Sequence, residues 1–166
     1  MKITKELLKE KGACAAGYRD FLKEYPVDKY PDGVEYQELL DCCAEKNFSY
    51  GSWLLGNFGK TDEVRKIDGD LIVEKGIIFA GQLEVRGCIE AGDGIEAGRG
   101  IKAGRGIKAG RGIEAGRGIK AGCEFGVYAG LRCKITNKTF RKIVAKERPE
   151  NIMCGEFEEK SDSEGK

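Results

Sequence analysis

Four arginines recur at six-residue intervals in the middle of the chain, each between two glycines. They are Arg99, Arg105, Arg111 and Arg117. A guanidinium group carries a permanent charge and a rigid fork of donors that suits carboxylates and phosphates, and bare backbone amides beside it can add to an anion site. Three lysines lie in the same stretch, namely Lys102, Lys108 and Lys120. The spacing predicts a basic surface for a small anionic ligand or an acidic protein, with solubility alone as the competing interpretation.

Other chemistry is poorly represented in the sequence. There is no histidine, which removes the commonest general base and the commonest nitrogen ligand of metals. The seven cysteines show no CxxC spacing; they are Cys14, Cys42, Cys43, Cys88, Cys123, Cys133 and Cys154. Such a set is neither a disulfide framework nor a zinc pattern, which predicts reduced thiols. We therefore predict that the protein is not an enzyme and has no catalytic residues, metal site or cofactor.

The overall charge and hydropathy exclude two classes of partner. Lysine and arginine total 29 against 28 for aspartate and glutamate, a balance that does not favour nucleic acid or an anionic membrane surface. No window approaches the roughly 18 apolar residues of a membrane span, and no signal-peptide pattern opens the chain. These features predict a cytoplasmic protein without a membrane partner.

The basic residues lie within a six-residue repeat. From Ile89 the sequence runs IEAGDG, IEAGRG, IKAGRG, IKAGRG, IEAGRG and IKAGCE. In the same frame the first position is apolar from Leu71 to Leu131, with Phe125 among its members, and the third is apolar from Val73 onward. Apolar residues two apart share one face of a strand, while Glu or Lys between them points outward. Each hexad therefore predicts one short strand and one corner.

Three such sides close a triangular coil of about 18 residues, and coils stack about 4.8 Å apart. The frame first fails at Asn137, which predicts about three to four coils. The predicted stacks are Ile89 over Ile107, Ile95 over Ile113, and Ile101 over Ile119. The same geometry places Arg99 over Arg117, with Arg105 and Arg111 at the other two corners. Two glycines in three residues permit the positive φ values of a sharp corner.

The segments on either side of the repeat differ from it. Residues 1–62 predict a small helical domain with helices at Thr4 to Gly12, Ala13 to Tyr25, Val34 to Lys46 and Tyr50 to Phe58. We expect Trp53 and its neighbours to form the core of this domain. Because unpaired strand edges invite pairing with other chains, the domain is expected to cap the Leu71 end of the prism.

These patterns predict a mainly β fold with a small α domain. A parallel β-helix, shaped as a triangular prism, occupies residues 63–136 after the helical domain. Short strands in residues 137–157, on either side of Pro149, are expected to cap or extend the prism. Residues 158–166, rich in charge and serine, predict a disordered tail.

Two resemblances add to this interpretation. At the repeat, IKAGRG and IEAGRG resemble the hexad-frame parallel β-helices, including the polymer-forming bactofilins, over residues 71–136. The combination of ELLKEKGAC (Glu6 to Cys14), SWLLGNFG (Ser52 to Gly59) and repeated GIKAG resembles small uncharacterised proteins of bacteriophages and prophages over most of the chain. The second resemblance implies a role in countering host defence, by binding a host nuclease complex or by sequestering a signalling nucleotide.

The predicted function is therefore that of a non-catalytic phage-type inhibitor or adaptor. It would bind a host protein complex in the host cytoplasm, for example as an anti-CRISPR, through surfaces of the β-helix or its cap. We also predict a homo-oligomer, because a few coils form a small core and oligomerisation often supplements one. Two alternatives remain: a sponge for anions or cyclic nucleotides, and a bactofilin-like self-assembling scaffold.

Overall fold

The computed structural model describes residues 1–134 and 136–161, and its first part is helical. The elements of this part are β1 (Lys2–Ile3), α1 (Lys5–Glu10), α2 (Ala15–Glu24), β2 (Val34–Glu35), α3 (Tyr36–Lys46) and α4 (Phe48–Phe58). Thr4 accepts a hydrogen bond from Leu7 N–H at 3.3 Å and so caps α1, as predicted. The four predicted helices are confirmed, whereas the antiparallel pair β1–β2 was not predicted.

The chain then forms a parallel β-solenoid of about five coils, with about 18 residues per turn. Its first strands are β3 (Val64–Ile67), β4 (Leu71–Val73), β5 (Ile77–Phe79), β6 (Gln82–Val85), β7 (Ile89–Ala91), β8 (Ile95–Ala97), β9 (Ile101–Ala103) and β10 (Ile107–Ala109). The later strands are β11 (Ile113–Ala115), β12 (Ile119–Lys120), β13 (Val127–Tyr128), β14 (Lys142–Ala145), β15 (Ile152–Cys154) and β16 (Glu156–Glu159), with a 3₁₀ helix at Lys138–Arg141. The predicted β-helix is confirmed, with more coils than the three to four expected.

The strands form three parallel sheets that make the sides of the prism. Sheet 1 contains β3, β6, β9 and β12; sheet 2 contains β4, β7, β10, β13 and β15; sheet 3 contains β5, β8, β11, β14 and β16. We refer to their outer surfaces as faces 1, 2 and 3. The registers pair Ile89 with Ile107, Ile95 with Ile113, and Ile101 with Ile119, as predicted. These isoleucines and the alanines two positions later are buried and fill the interior.

At the first position after each strand, glycine is required because there is no room for a side chain, and not because the backbone has a positive φ. A Cβ atom at Gly98 would lie 2.1 Å from the Ala80 carbonyl oxygen, and one at Gly116 would lie 2.0 Å from the Gly98 carbonyl oxygen. None of the glycines between residues 92 and 122, all of which the structure describes, has a positive φ. These corners therefore do not use the positive φ values that their glycines permit. Successive coils approach so closely at the corners that a side chain would collide with the coil before it.

The hexad frame slips after Ala121. Val127 stacks on Ile107, where the frame predicted Phe125, because residues 122–126 form a longer turn. Phe125 and Leu131, predicted to point inward, are exposed, so the prediction was wrong at these two positions. The stack resumes when Ile143 pairs with Ile113. Because extra residues are inserted at this turn and between β13 and β14, the fourth coil does not follow a strict six-residue pattern.

Helix α3 covers the outer edge of β5. Gln37 donates its side-chain amide to the Ile78 carbonyl at 2.8 Å and accepts from Ala80 N–H at 3.1 Å. The Gly76 N–H donates to the Ala44 carbonyl at 3.2 Å. Gln37 therefore takes the place of a further parallel strand, and Ile78 is buried against the helices although it lies on the outer face of β5.

The cap also reaches across the opening of the prism. Arg65 pairs in register with Leu83, which points inward. The Arg65 guanidinium lies 4.6 Å from the centre of the Phe79 ring, and 3.9 Å separate it from the Asp41 carboxylate of α3. A cation over an aromatic ring thus closes the apolar interior at this end. The predicted cap is confirmed for β5, while β3 and β4 have no strand on their outer side in the described chain.

The C-terminal strands extend the prism without a helix. Strand β14 pairs with β11, and β15 and β16 end sheets 2 and 3. Strand β16 includes Glu158 and Glu159, which were assigned to the disordered tail, and residues 162–166 of that tail lie outside the described residues. In the part that the structure describes, no helix combines the length and apolar character needed to cross a membrane.

Candidate anion-binding groove on face 1

The four corner arginines lie at three different corners of the prism. Arg117 N–H donates to the Arg99 carbonyl at 2.8 Å, so these two share the corner between sheets 3 and 1. Arg105 lies between sheets 1 and 2, and Arg111 lies between sheets 2 and 3. The structure therefore distributes the predicted site residues around the prism and does not gather all of them at one site.

Three of these arginines have carboxylate partners. Arg99 pairs with Asp62, Arg105 with Asp70 at 3.7 Å, and Arg111 with Asp93 at 3.1 Å. Arg99 also donates from Nε to the Thr61 carbonyl at 2.8 Å, which fixes the linker to the corner. Lys108, on face 2, lies 3.9 Å from the Glu90 carboxylate. The structure explains these four cations by neighbours within the chain.

The remaining three predicted site residues lie together on the C-terminal half of face 1. Lys120 stacks on Lys102 in adjacent parallel strands, and Arg117 lies at the corner before Lys120. All three side chains are exposed, and within the described residues none of them forms an ion pair. Like charges directly opposite each other in a sheet are unfavourable unless something neutralises them. Glu84 stands in register on the other side of Lys102, where it contacts Lys66 and Gln82. Lys120 has no carboxylate opposite it in the sheet within the described chain. This arrangement therefore favours an external anion.

The same three cations line a groove of about 520 Å³. The segment 147–151 forms its far wall, where Asn151 donates its amide to the Cys123 carbonyl at 3.2 Å. Arg148 adds a fourth cation, whose guanidinium lies 5.6 Å from the centre of the Phe157 ring, and Glu147 and Glu150 add two carboxylates to the same wall. The groove thus combines a cationic wall, exposed glycine backbone at the corner, and a volume in the range of small-ligand sites, about 300–1,000 Å³.

Sequence reasoning identified three of the four cations and missed Arg148. The hexad frame assigns outward positions to Lys102 and Lys120 and a corner to Arg117, but it ends before Arg148. The pairing of Gly118 with Glu147 brings this segment beside sheet 1. No repeat signals that pairing, because the fifth coil has its own corner lengths. The only local signal is Pro149, which indicates a turn.

A second cavity, of about 560 Å³, lies in the helical domain between α2 and the pair α3–α4. Its lining includes Phe21, Leu39, Cys43 and Trp53, and an ion pair between Lys46 and Glu24 at 2.5 Å joins α3 to α2 at its rim. Trp53 is half-buried and packs against the core of the domain, in agreement with the prediction for this residue. Burial raises the pKa of the Cys43 thiol to about 12, so it stays protonated at neutral pH.

Neither cavity brings a metal-binding set of side chains together. Within residues 1–134 and 136–161 no group of three or more cysteine, aspartate or glutamate side chains is placed to hold a metal ion. All seven cysteines are free thiols. No family model, no curated protein and no solved structure matches this chain.

Proposed function

We propose that the protein is a non-catalytic inhibitor or adaptor that binds the acidic surface of a host protein complex through face 1. The observation that carries the proposal is the set of three cations without carboxylate partners, Lys102, Arg117 and Lys120, beside the groove. The other four cations of the repeat, Arg99, Arg105, Lys108 and Arg111, pair with carboxylates of the chain, so the difference within the repeat is local. A rigid stack of coils also fixes the spacing of these charges before any partner arrives, which reduces the entropy lost on binding.

The class of partner in this proposal follows from the resemblance to phage and prophage proteins. An inhibitor of a host defence complex acts by occupying a surface, and such an interface needs no catalytic residue. A basic face would select an acidic region of the partner's surface. The proposed site of action is the host cytoplasm.

The dimensions of the groove favour a second candidate, a sponge for a nucleotide-sized anion. A volume of about 520 Å³ suits a small ligand better than it suits a broad protein interface. Lysine ammonium groups and a corner arginine would hold phosphate oxygens, and the Gly118 backbone leaves room for close approach. The two candidate functions use the same cations and differ in the size of the ligand, which is a protein surface in the first and a nucleotide in the second.

The test compares two variants that lose equal charge. The first replaces Lys102, Arg117 and Lys120 by glutamine, and the second replaces Arg105, Lys108 and Arg111, which have partners elsewhere on the prism. Proteins and nucleotides retained from a bacterial lysate at low salt are identified by mass spectrometry. The affinity of each retained species is then measured with the purified chain and both variants at two salt concentrations.

We expect the first variant to bind its partner about tenfold more weakly or worse at low salt, and the second to resemble the wild type. A retained protein supports the adaptor, and a retained nucleotide supports the sponge. Equal affinity of the wild type and the first variant, with both folded, would exclude face 1. The cleft beside Trp53 would then be the site to test.

A further inference from the structure

Exposed apolar side chains of the solenoid concentrate around β15. Met153 of β15 is 66 % exposed, and Phe125, Leu131 and Phe140 in the neighbouring turn and loop are 42 %, 52 % and 46 % exposed. Met153 and the ring of Tyr128 lie on either side of Gly126, where a Cβ atom would come within 2.3 Å of Met153 Cγ. This apolar surface, which we term the β15 patch, lies on face 2 and its two corners in the last coils.

The β15 patch adjoins a strand edge that lacks the usual protection. Proteins protect sheet edges with charge, proline or a covering element. Strand β16 carries Glu156, Glu158 and Glu159, and the segment that ends sheet 1 contains Pro149, which has no N–H to donate. Strand β15 reads Ile-Met-Cys, without charge or proline, and the described chain places nothing on its outer side.

We propose that two copies of the chain join at their C-terminal ends by antiparallel pairing of β15 with β15 of the second copy. The two-fold axis of this dimer is normal to face 2, so the two Met153 side chains lie next to each other. The same axis places strand β16, at the end of sheet 3 in one copy, opposite the end of sheet 1 in the other copy. Each β16, with its three glutamates, then lies over the segment 147–151 of the other copy, which carries Arg148 between Glu147 and Glu150, and not over the other β16. A two-fold axis through sheet 3 would instead oppose glutamates with glutamates, which is unfavourable.

The N-terminal end does not permit the equivalent contact. Helix α3 lies against the outer edge of β5, and its Asp41 reaches Arg65 at the opening of the prism. A second prism stacked on this end would collide with the helix. Head-to-tail stacking fails for the same reason, because β16 of one copy would need the position that α3 holds. The assembly therefore closes as a dimer and does not grow into a filament.

Pairing at this end would also complete the core. Ile152 and Phe157 are partly buried residues that pack against the interior of the solenoid from its last coil. A second copy paired at this edge would cover both of them and bring the two Met153 side chains into contact. Because small cores gain much from such burial, the dimer is expected to form at micromolar concentration. This inference is independent of the proposed function, since it concerns the protein alone.

The test uses the full chain and two matched substitutions. Ile72 of β4 lies on the same face at the opposite end and is 64 % exposed, so Ile72→Lys is the control for Met153→Lys. Mass is measured by sedimentation velocity at tens of micromolar, with melting temperature to verify folding. We expect twice the 18.2 kDa monomer mass for the wild type and Ile72→Lys, and the monomer mass for Met153→Lys.

A cross-linking experiment locates the axis. In Met153→Cys the two introduced thiols would face each other, and mild oxidation should yield a covalent dimer whose linked peptide mass spectrometry identifies as residue 153 joined to itself. Ile72→Cys should not yield the corresponding species. A monomeric wild type, a species larger than a dimer, or loss of association in Ile72→Lys with retention in Met153→Lys would each overturn the proposal.

Discussion

The two ends of the solenoid protect their unpaired strand edges by different means. At the N-terminal end, a glutamine side chain from α3 satisfies the edge of β5 and an arginine covers the Phe79 ring, while β3 and β4 have no strand on their outer side in the described chain. At the C-terminal end, sheet edges are protected only by glutamates, a proline and, for β15, nothing in the described chain. A covered edge is closed to other chains, whereas an edge protected by charge depends on salt and on the sign of its neighbour. The comparison predicts that stability is concentrated at one end and association at the other.

The largest effect should come from the middle coils, which depend on neither end. Ile107 is fully buried between Ile89 and Val127, and an aspartate there would place a charge in an apolar stack. We expect Ile107→Asp to cost about 4–5 kcal/mol or more, enough to unfold a marginally stable solenoid. The adjacent outward substitution Lys108→Ala should cost less than about 1 kcal/mol. Circular dichroism during thermal unfolding distinguishes the two, and similar melting temperatures would contradict the hexad frame.

Removal of the N-terminal cap should have the next largest effect. Gln37→Leu leaves the Ile78 carbonyl and the Ala80 N–H without their partner in a partly buried position. We expect a loss of about 1–3 kcal/mol in the free energy of unfolding, measured by urea denaturation. Asn57→Ala is the control, because Asn57 is exposed and donates only to the Trp53 carbonyl one turn earlier in α4. If both variants lose the same stability, Gln37 has no role as an edge cap.

The contact between the helical domain and face 3 should make stability depend on pH. Burial raises the pKa of the Glu96 carboxyl above its ordinary value, although the hydrogen bond from Ser52 at 2.5 Å opposes the shift. The folded state then binds the proton more tightly than the unfolded state, so this contribution is complete below the unfolded pKa and is lost as pH rises through the raised pKa.

The substitution Glu96→Gln removes this titration and keeps the hydrogen-bonding shape. We expect the free energy of unfolding of the variant to exceed that of the wild type at neutral pH. Between the unfolded-state and folded-state pKa of Glu96, the stability of the wild type should fall with rising pH, and that of the variant should not. Parallel profiles of the wild type and Glu96→Gln in urea denaturation would show that Glu96 is solvated in the folded protein.

The difference between the two ends also explains what could be predicted from the sequence. The middle coils repeat a six-residue pattern in which side-chain period and corner length agree, so stacking partners such as Ile101 and Ile119 follow from counting. The fourth and fifth coils use corners of unequal length, and no local rule states how many residues a corner inserts. The hexad frame therefore did not predict the register of Val127 and Ile143. Both residues nevertheless stack on the coil before them, on Ile107 and Ile113.

The candidate groove was predictable in part for the same reason. The frame gives the outward direction of Lys102 and Lys120 and the shared corner of Arg99 and Arg117. Whether an arginine has a carboxylate partner depends on residues one coil away or in the linker, such as Asp62 beside Arg99. The edge cap of Gln37 shows the same limit, because it joins residues 41 positions apart through one side chain.

The smallest expected effects on stability concern two corner ion pairs of the prism, Arg105–Asp70 and Arg111–Asp93. Arg105 lies 3.7 Å from Asp70 at the N-terminal side, where both side chains are well exposed. Arg111 lies 3.1 Å from Asp93, whose carboxylate is less exposed, and its guanidinium is 5.2 Å from the centre of the Phe140 ring. Exposed pairs contribute about 0–1 kcal/mol, whereas a contact that also covers an aromatic ring holds a loop.

We therefore expect Arg105→Gln to change the free energy of unfolding by less than about 0.5 kcal/mol, and Arg111→Gln to cost about 0.5–1 kcal/mol. The second variant should also free Phe140, so hydrogen exchange in residues 136–141 should quicken while exchange in β7 and β10 stays the same. High salt should remove most of the effect at Arg105, since exposed charges are screened, but only part of the effect at Arg111. Equal salt dependence at the two positions would mean that the Phe140 contact contributes nothing, and that backbone hydrogen bonds to the carbonyls of Ala109, Gly110 and Arg111 hold the loop at the C-terminal side.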